Sequence, residues 1–358
     1  MQSILLATVI ALIVGLVLTP WVIDLFRARG IGELIREDGP ATHFVKHGTP
    51  TMGGLILIAA ATLGYLGAHL RIADGGIRFQ SLAPSGMLIL GVAWALGVIG
   101  AIDDLAKIRR TRSLGLSKRA KFIGQAIVGF ALAYAALEWT GLTSRISWTG
   151  TDLGFLPTLP KIVFALFVVL LIAGTSNGVN FADGVDGLAS GSAAMCFFVF
   201  TIIGFWEFRN PEFYPQLSPV SPSGLLDVAI ASASLLGACI GFLWWNAAPA
   251  RIIMGDTGAL ALGGALGALA LFTRTQLLLI VVGGLFVIEG LSVILQIIAY
   301  RGFGERRIFA MAPLHHHFEL RGWAEFTVIV RFWLVAALTA GLGLALFYMD
   351  FLASGGGG

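Results

Sequence analysis

Charge is scarce in this chain. Aspartate, glutamate, lysine and arginine make up 12% of its 358 residues, against roughly 25% in soluble globular domains. With 57% hydrophobic residues and a mean hydropathy of +0.88, an ordinary water-soluble domain is excluded. Cysteine is nearly missing as well. Cys196 and Cys239 both lie inside apolar runs, where a thiol serves as a small buried hydrophobe. Neither a disulfide framework nor a cysteine metal centre is implied. No internal repeat and no polar stretch of domain length interrupts the sequence, and no basic leader precedes the first apolar run. No removable signal segment is therefore expected. The net charge of +3 is weak ground for a nucleic-acid partner, and none is expected, because the basic residues cluster beside apolar segments.

What the chain has in abundance is long hydrophobic runs. A spanning helix takes about 20 apolar residues, because the hydrocarbon core is roughly 30 Å thick and a helix rises 1.5 Å per residue. Ten runs qualify, near residues 4–26, 51–70, 84–102, 121–138, 161–177, 187–206, 225–245, 258–273, 277–300 and 326–349. The expected fold is an all-α polytopic membrane protein with a single ten-helix domain over residues 1–352. The tail ASGGGG at 353–358 reads as a flexible appendage of the kind left by cloning. Loops after odd-numbered runs carry sixteen lysines and arginines, and those after even-numbered runs carry six. The positive-inside rule then places the first set in the cytoplasm and both termini outside. Arg331, just inside the tenth run, is expected to snorkel or pair.

Five polar stretches fall on that same cytoplasmic side: KHGTPTMGG at 46–54, DDLAK at 103–107, NGVNFADGVDGLA at 177–189, NAAPARIIMGDTGALALGG at 246–264, and MAPLHHHFELRGW at 311–323. Asp103 and Asp104 are expected to end the third helix, where the dipole and mutual repulsion disfavour two ionised carboxylates and call for a compensating cation. Alone, Asp103 and Lys107 would read as a solvated i, i+4 pair. Asn180, Asp183 and Asp186 recur every three residues, which gathers their polar ends on one side. The plain alternative for Asp183 and Asp186 is turn and cap duty. Asp256 has an equally plain use as a helix cap, but its carboxylate is also a hard oxygen ligand suited to magnesium. His315, His316 and His317 are adjacent and lie within the chain, so they are not an end tag. Their side chains diverge on any regular element and do not converge on one zinc ion. Contacts to phosphate or carboxylate and ring packing suit them better. Five acids facing Lys46, Lys107, Arg119, Lys121, Arg306 and Arg307 make the composition of a magnesium-dependent phosphoryl site, with lipid phosphate as one substrate.

Taken in order, GTPTMGG, the Asp-Asp pair with Lys107, the NxxNxxDGxDGLA pattern, MGDTG and MAPLHHHFELRGW resemble the phospho-N-acetylmuramoyl-pentapeptide transferase family over nearly the whole chain. The resemblance implies a magnesium-dependent enzyme of the bacterial inner membrane. It would transfer phospho-MurNAc-pentapeptide from UDP-MurNAc-pentapeptide to undecaprenyl phosphate, releasing UMP, with membrane lipid around it and a homodimer left open. Carried over by motif, Asp256 is the metal ligand, Asp103 and Asp104 are the essential acidic pair, and His315 and Lys121 are important for activity. Lys46, Thr51, Asn180, Asp183, Asp186 and Asn246 match nucleoside-pocket positions. Lys107, His316 and His317 are expected among the substrate contacts. Two residues depart from the pattern: Ile253 stands where the family often has a uracil-stacking Phe, and Leu114 replaces a commonly basic residue. A sister transferase using a UDP-N-acetylhexosamine is the near alternative. A secondary transporter is the distant one, prompted by buried acids such as Glu289, which is expected to pair with a polar neighbour inside the bundle.

Overall fold

A computed structural model describes residues 1–32, 48–73, 76–110, 115–149, 157–214, 222–305 and 307–356. The chain opens with α1 (Gln2–Ala28) and α2 (Gly54–Ala68), followed by an antiparallel hairpin of β1 (Leu70–Ala73) and β2 (Gly76–Phe79). Then come α3 (Pro84–Arg110), α4 (Lys118–Trp139), α5 (Lys161–Ala182), α6 (Leu188–Arg209), α7 (Pro222–Asn246) and α8 (Gly255–Phe272). The short α9 (Leu279–Val282), α10 (Gly284–Gly302), the short α11 (Leu314–Leu320) and α12 (Glu325–Phe351) complete it. Among the described residues, nine helices are long and apolar enough to cross a membrane, and α2 is a shorter apolar helix of 15 residues. The protein is an all-α, multi-pass membrane protein apart from the hairpin.

Helix α8 is the axis of the bundle. Every residue from Thr257 to Phe272 is buried, between α3, α5, α2 and α6. Its sequence, GDTGALALGGALGALALF, is mostly glycine and alanine. Lipid tails are as apolar as leucine, so helices in a bilayer gain little from hiding apolar surface. They associate through close backbone approach, which small residues permit. A Cβ on Gly54 of α2 would run into the backbone of Gly258, and one on Gly100 of α3 would run into the carbonyl of Asp256. These crossings seat the N-terminal end of α8.

Four features differ from the expectations drawn from the sequence. The second run starts at Gly54 because the residues before it pair with the approach to α8. Ile253 N–H donates to Pro50 O at 2.7 Å, Gly53 N–H to Ile253 O at 3.0 Å, and Gly54 N–H to Met254 O at 3.0 Å. Two motifs some 200 residues apart are thus one hydrogen-bonded unit. The run expected at 277–300 is broken at Gly283, where α9 hands over to α10. Gly284 there packs so close to α12 that a Cβ would lie 2.8 Å from that of Thr339. Helix α3 does not end at Asp103 and Asp104 but runs on to Arg110, so a helix C-terminus does not explain the strain on that acid pair. The sequence between the two strands is Asp-Gly, a turn signal that a search for 20-residue apolar runs passes over.

The opposite end of the bundle is tied by Asp227 of α7. It accepts from the Tyr65 hydroxyl at 2.8 Å and the Ala83 N–H at 2.6 Å, and pairs with His69 Nε2 at 3.0 Å. Cys196 and Cys239 are free and buried, as their apolar surroundings imply. The Arg331 guanidinium lies 4.1 Å from the centre of the Trp323 ring, a cation–π contact that accommodates its charge. Gly100→Ala should cost about 1–3 kcal/mol of stability by forcing α3 from α8. Gly91→Ala, on the same helix with nothing within 4 Å of its Cβ, should stay within about 1 kcal/mol of the parent. Thermal midpoints in detergent measure both, and equal midpoints for the two variants would contradict the proposed crossing.

Candidate active site

Four helix ends converge on one polar pocket. The two turns of α3 before Arg110 carry Asp103, Asp104 and Lys107, and the i, i+4 spacing brings Lys107 Nζ within 2.8 Å of Asp103 Oδ2. Helix α4 begins behind Ser117, whose hydroxyl accepts from Ala120 N–H at 3.2 Å. That start points Lys121, in the first turn, across to Asp256 Oδ2 at 2.7 Å and Asp103 Oδ1 at 3.5 Å. The last turn of α5 supplies Asn180, whose amide donates to Asp256 Oδ1. Asp256 itself sits in the first turn of α8.

Asp104 holds that turn in place. Met254, at the cap position of α8, offers no side-chain hydrogen bond, so the leading amides of the helix need a partner from elsewhere. Asp104 provides it across the bundle: Oδ2 accepts from Thr257 N–H at 2.9 Å and its hydroxyl at 2.7 Å, and Oδ1 from Asp256 N–H at 3.2 Å. Gly255 makes the approach possible. Its φ of +72° favours glycine, and a Cβ there would sit 2.7 Å from Asp104 Oδ2. Asp103 is fixed from the far side, where Leu116 N–H donates to Oδ1 at 2.8 Å.

One oxygen from each of Asp103, Asp104 and Asp256 lies within 4.8 Å of the others. These are hard oxygen donors of the kind magnesium takes. The Lys107 ammonium lies 2.8, 3.4 and 3.0 Å from the three in turn. An ammonium so nested is a cation standing among the carboxylates, so the donor set, its charge and its size all fit a metal ion.

Of the five acids expected on one face, three form this cluster and two lie in the loop between α5 and α6. Asp183 follows the end of α5. Asp186 accepts from Ala250 N–H at 2.9 Å, and its own N–H donates to Glu325 Oε1 at 3.3 Å. Asn246 is buried and braces the same loop, receiving the Ser190 hydroxyl at 2.8 Å and donating to Ile252 O at 3.0 Å. Thr51 is buried beside Gly255, with its hydroxyl hydrogen-bonded to no described residue. Ile253 is partly exposed. Lys46, Leu114 and Arg306 lie outside the described residues, while Arg119 and Arg307 are exposed.

The three histidines lie on α11, but they do not all diverge as the spacing led one to expect: the Nε2 atoms of His315 and His316 both face Gly184. His315 Nδ1 is 3.1 Å from Glu289 Oε1, His316 Nδ1 is 2.7 Å from Glu319 Oε2, and His317 Nδ1 accepts from Ala310 N–H at 3.0 Å. The rings of His315 and His316 pack with centres 4.1 Å apart. Sequence reasoning missed Thr257, Glu319 and Glu325. Thr257 was legible as part of GDTG, but the two glutamates carry no local signal, because their partners are set by the fold.

The helix bundle that carries this carboxylate cluster matches glycosyl transferase family 4 over residues 86–274, which makes it a membrane-embedded transferase of that family. Over 99% of its length the chain is 49% identical to the full length of a phospho-N-acetylmuramoyl-pentapeptide-transferase of Mycobacterium tuberculosis (strain CDC 1551 / Oshkosh). Proteins of the same name from Mycolicibacterium paratuberculosis (49% identical, 99% of each chain) and Saccharopolyspora erythraea (46% identical, 99% of this chain and 98% of that one) are similarly matched. The chain belongs to the phospho-N-acetylmuramoyl-pentapeptide-transferase family.

If Lys107 occupies the place of a metal ion, removing it should make stability depend on the metal. Lys107→Met should lower the metal-free thermal midpoint by the equivalent of about 3 kcal/mol, the penalty for uncompensated buried charge. Magnesium should then raise the midpoint further in the variant than in the parent. Equal magnesium responses would argue against a shared cation position.

Proposed function

We propose that the chain transfers phospho-MurNAc-pentapeptide from UDP-MurNAc-pentapeptide to undecaprenyl phosphate, giving undecaprenyl-pyrophosphoryl-MurNAc-pentapeptide and UMP, in a magnesium-dependent reaction. One observation carries this function: Asp103, Asp104 and Asp256, from helices more than 150 residues apart in the chain, meet around two lysine ammonium groups. The names borne by the relatives speak of the same transferred group, phospho-N-acetylmuramoyl-pentapeptide. We place the site on the cytoplasmic face of a bacterial inner membrane, the side to which the basic loops assign it. Residues 1–352 then form one ten-span domain, with α2 as a short span, both termini outside and residues 353–358 as a tail.

The chemistry is an in-line displacement. A lipid phosphate oxygen forms a bond to the β-phosphorus of the UDP sugar, and the bond from that phosphorus to the bridging oxygen breaks, with UMP leaving. A phosphate monoester has its second pKa near 6, so the attacking oxygen is largely dianionic at neutral pH and asks little of a base. Positioning and charge therefore dominate. Asp256 and Asp103 would hold the metal, and Asn180 fixes the orientation of the Asp256 carboxylate. Magnesium, when bound there, would neutralise the pyrophosphate and stabilise the departing UMP. Lys107 and Lys121 are released from the carboxylates to pair with phosphate oxygens. Asp103 orients the lipid phosphate or takes its remaining proton, while Asp104 keeps α8 seated. Thr51, Asp183, Asp186 and Asn246 form the nucleoside wall.

Asp256→Asn should reduce UMP release at least about a hundredfold even at saturating magnesium. Turnover close to that of the parent would remove Asp256 from the metal site. Mixing the enzyme with UDP-MurNAc-pentapeptide alone should leave no phosphorylated aspartate on acid quench. A trapped acyl phosphate would replace the direct route by a two-step one.

A further inference from the structure

We propose that Glu289 is the positioning residue of His315, and that the pair presents the Nε2 atom of His315 to a hydrogen-bonding oxygen of the nucleotide substrate beside Gly184. The proposal rests on the transferase function above and extends the same site. Glu289 is fully buried in α10, and both its carboxylate oxygens are engaged. Oε2 accepts the Leu314 N–H at 2.7 Å and Oε1 lies 3.1 Å from His315 Nδ1. Leu314 is the first residue of α11. One carboxylate thus anchors the start of the helix and aims the imidazole it carries.

A carboxylate offers only lone pairs. The proton of a neutral His315 therefore resides on Nδ1, and Nε2 is left as an acceptor. Nε2 is buried and hydrogen-bonds no described residue, a costly arrangement unless another molecule fills it. It faces the backbone of Gly184, where a Cβ would collide with it. Gly184 belongs to the loop between α5 and α6 that carries Asp183 and Asp186. An unfilled nitrogen in a fixed tautomer, turned toward a residue with no side chain, suits recognition of a ligand oxygen. A hydroxyl donates to the bare Nε2. His317 is held the other way round: its Nδ1 accepts a backbone N–H, so its proton sits on Nε2.

Glu289→Gln tests this with little change of volume. If the single amide oxygen stays on Leu314 N–H, the amide NH2 meets Nδ1 and the ring proton moves to Nε2. Magic-angle-spinning NMR of the whole enzyme in lipid bilayers, with 15N-labelled histidine rings and His315→Gln to assign the signal, reads the tautomer directly. The parent should show a protonated Nδ1 and a bare Nε2 that shifts on adding UDP-MurNAc-pentapeptide, and Glu289→Gln should reverse the tautomer. In turnover, Glu289→Gln should raise KM for the nucleotide about tenfold with kcat changed less than about threefold. The double variant with His315→Gln should cost no more than His315→Gln alone. A protonated Nε2 in the parent, an Nε2 signal indifferent to nucleotide, or fully additive kinetic losses would overturn the proposal. The first two readings need only the parent protein, so they stand even if Glu289→Gln does not fold. A parent enzyme that binds the nucleotide at His315 but releases no UMP would overturn the transferase function and leave the pairing intact.

Discussion

The leading amides of α8 meet the carboxylate of Asp104, and the rest of the site is built outward from that meeting. A helix start buried in a bundle has no water to satisfy its N–H groups. A side chain that caps such a start contributes about 0.5–2 kcal/mol, and a negative charge there gains from the dipole as well. Here the cap comes from α3. The bond that stabilises α8 also fixes how far Asp256 stands from Asp103, because Asp103 and Asp104 are neighbours on one helix. The glycines at the α2 and α3 crossings allow α8 to come close enough for the cap to form. Packing and chemistry are therefore one requirement at this point of the fold.

Charge balance follows from the same geometry. Three buried or half-buried carboxylates face two ammonium groups that are themselves partly covered. The cluster is short of one positive charge, and its lysines sit on flexible stems that can swing from carboxylate to phosphate. In the proposed reaction a divalent ion and a dianionic headgroup arriving together would change the partners of the lysines without leaving any of the five groups unpaired. Binding the substrates replaces one set of ion pairs by another.

Much of this was legible in the sequence, for physical reasons. Spans are visible because the bilayer imposes a length and a polarity that composition cannot disguise, and the acids of the site stand out against that background. Asp103 with Lys107 and Asp256 with its glycines follow from local spacing. What spacing does not carry is which groups are already engaged. Asp104 reads as the twin of Asp103 yet caps α8, and the bonds of Asn246 to Ser190 and Ile252 carry no local signal. The break at Gly283 was hidden because both halves are equally apolar, and only proximity to Thr339 reveals why a glycine pair sits there. The late start of α2 was hidden because its cause lies at Ile253 and Met254, two hundred residues away.

The length of α3 sets the depth at which the chemistry takes place. From Pro84 to Asp103 is 20 residues, about 30 Å of helix and so the full hydrocarbon thickness. The seven residues beyond, ending at Arg110, rise a further ~10 Å. In the proposed topology, with α3 entering the hydrocarbon at Pro84, the carboxylates would lie level with the phosphate layer of the bilayer. The headgroup of a lipid carrier would then meet them without leaving its leaflet, sparing the roughly 0.8 kcal/mol that drawing each methylene into water would cost. The water-soluble sugar nucleotide is the partner that must descend.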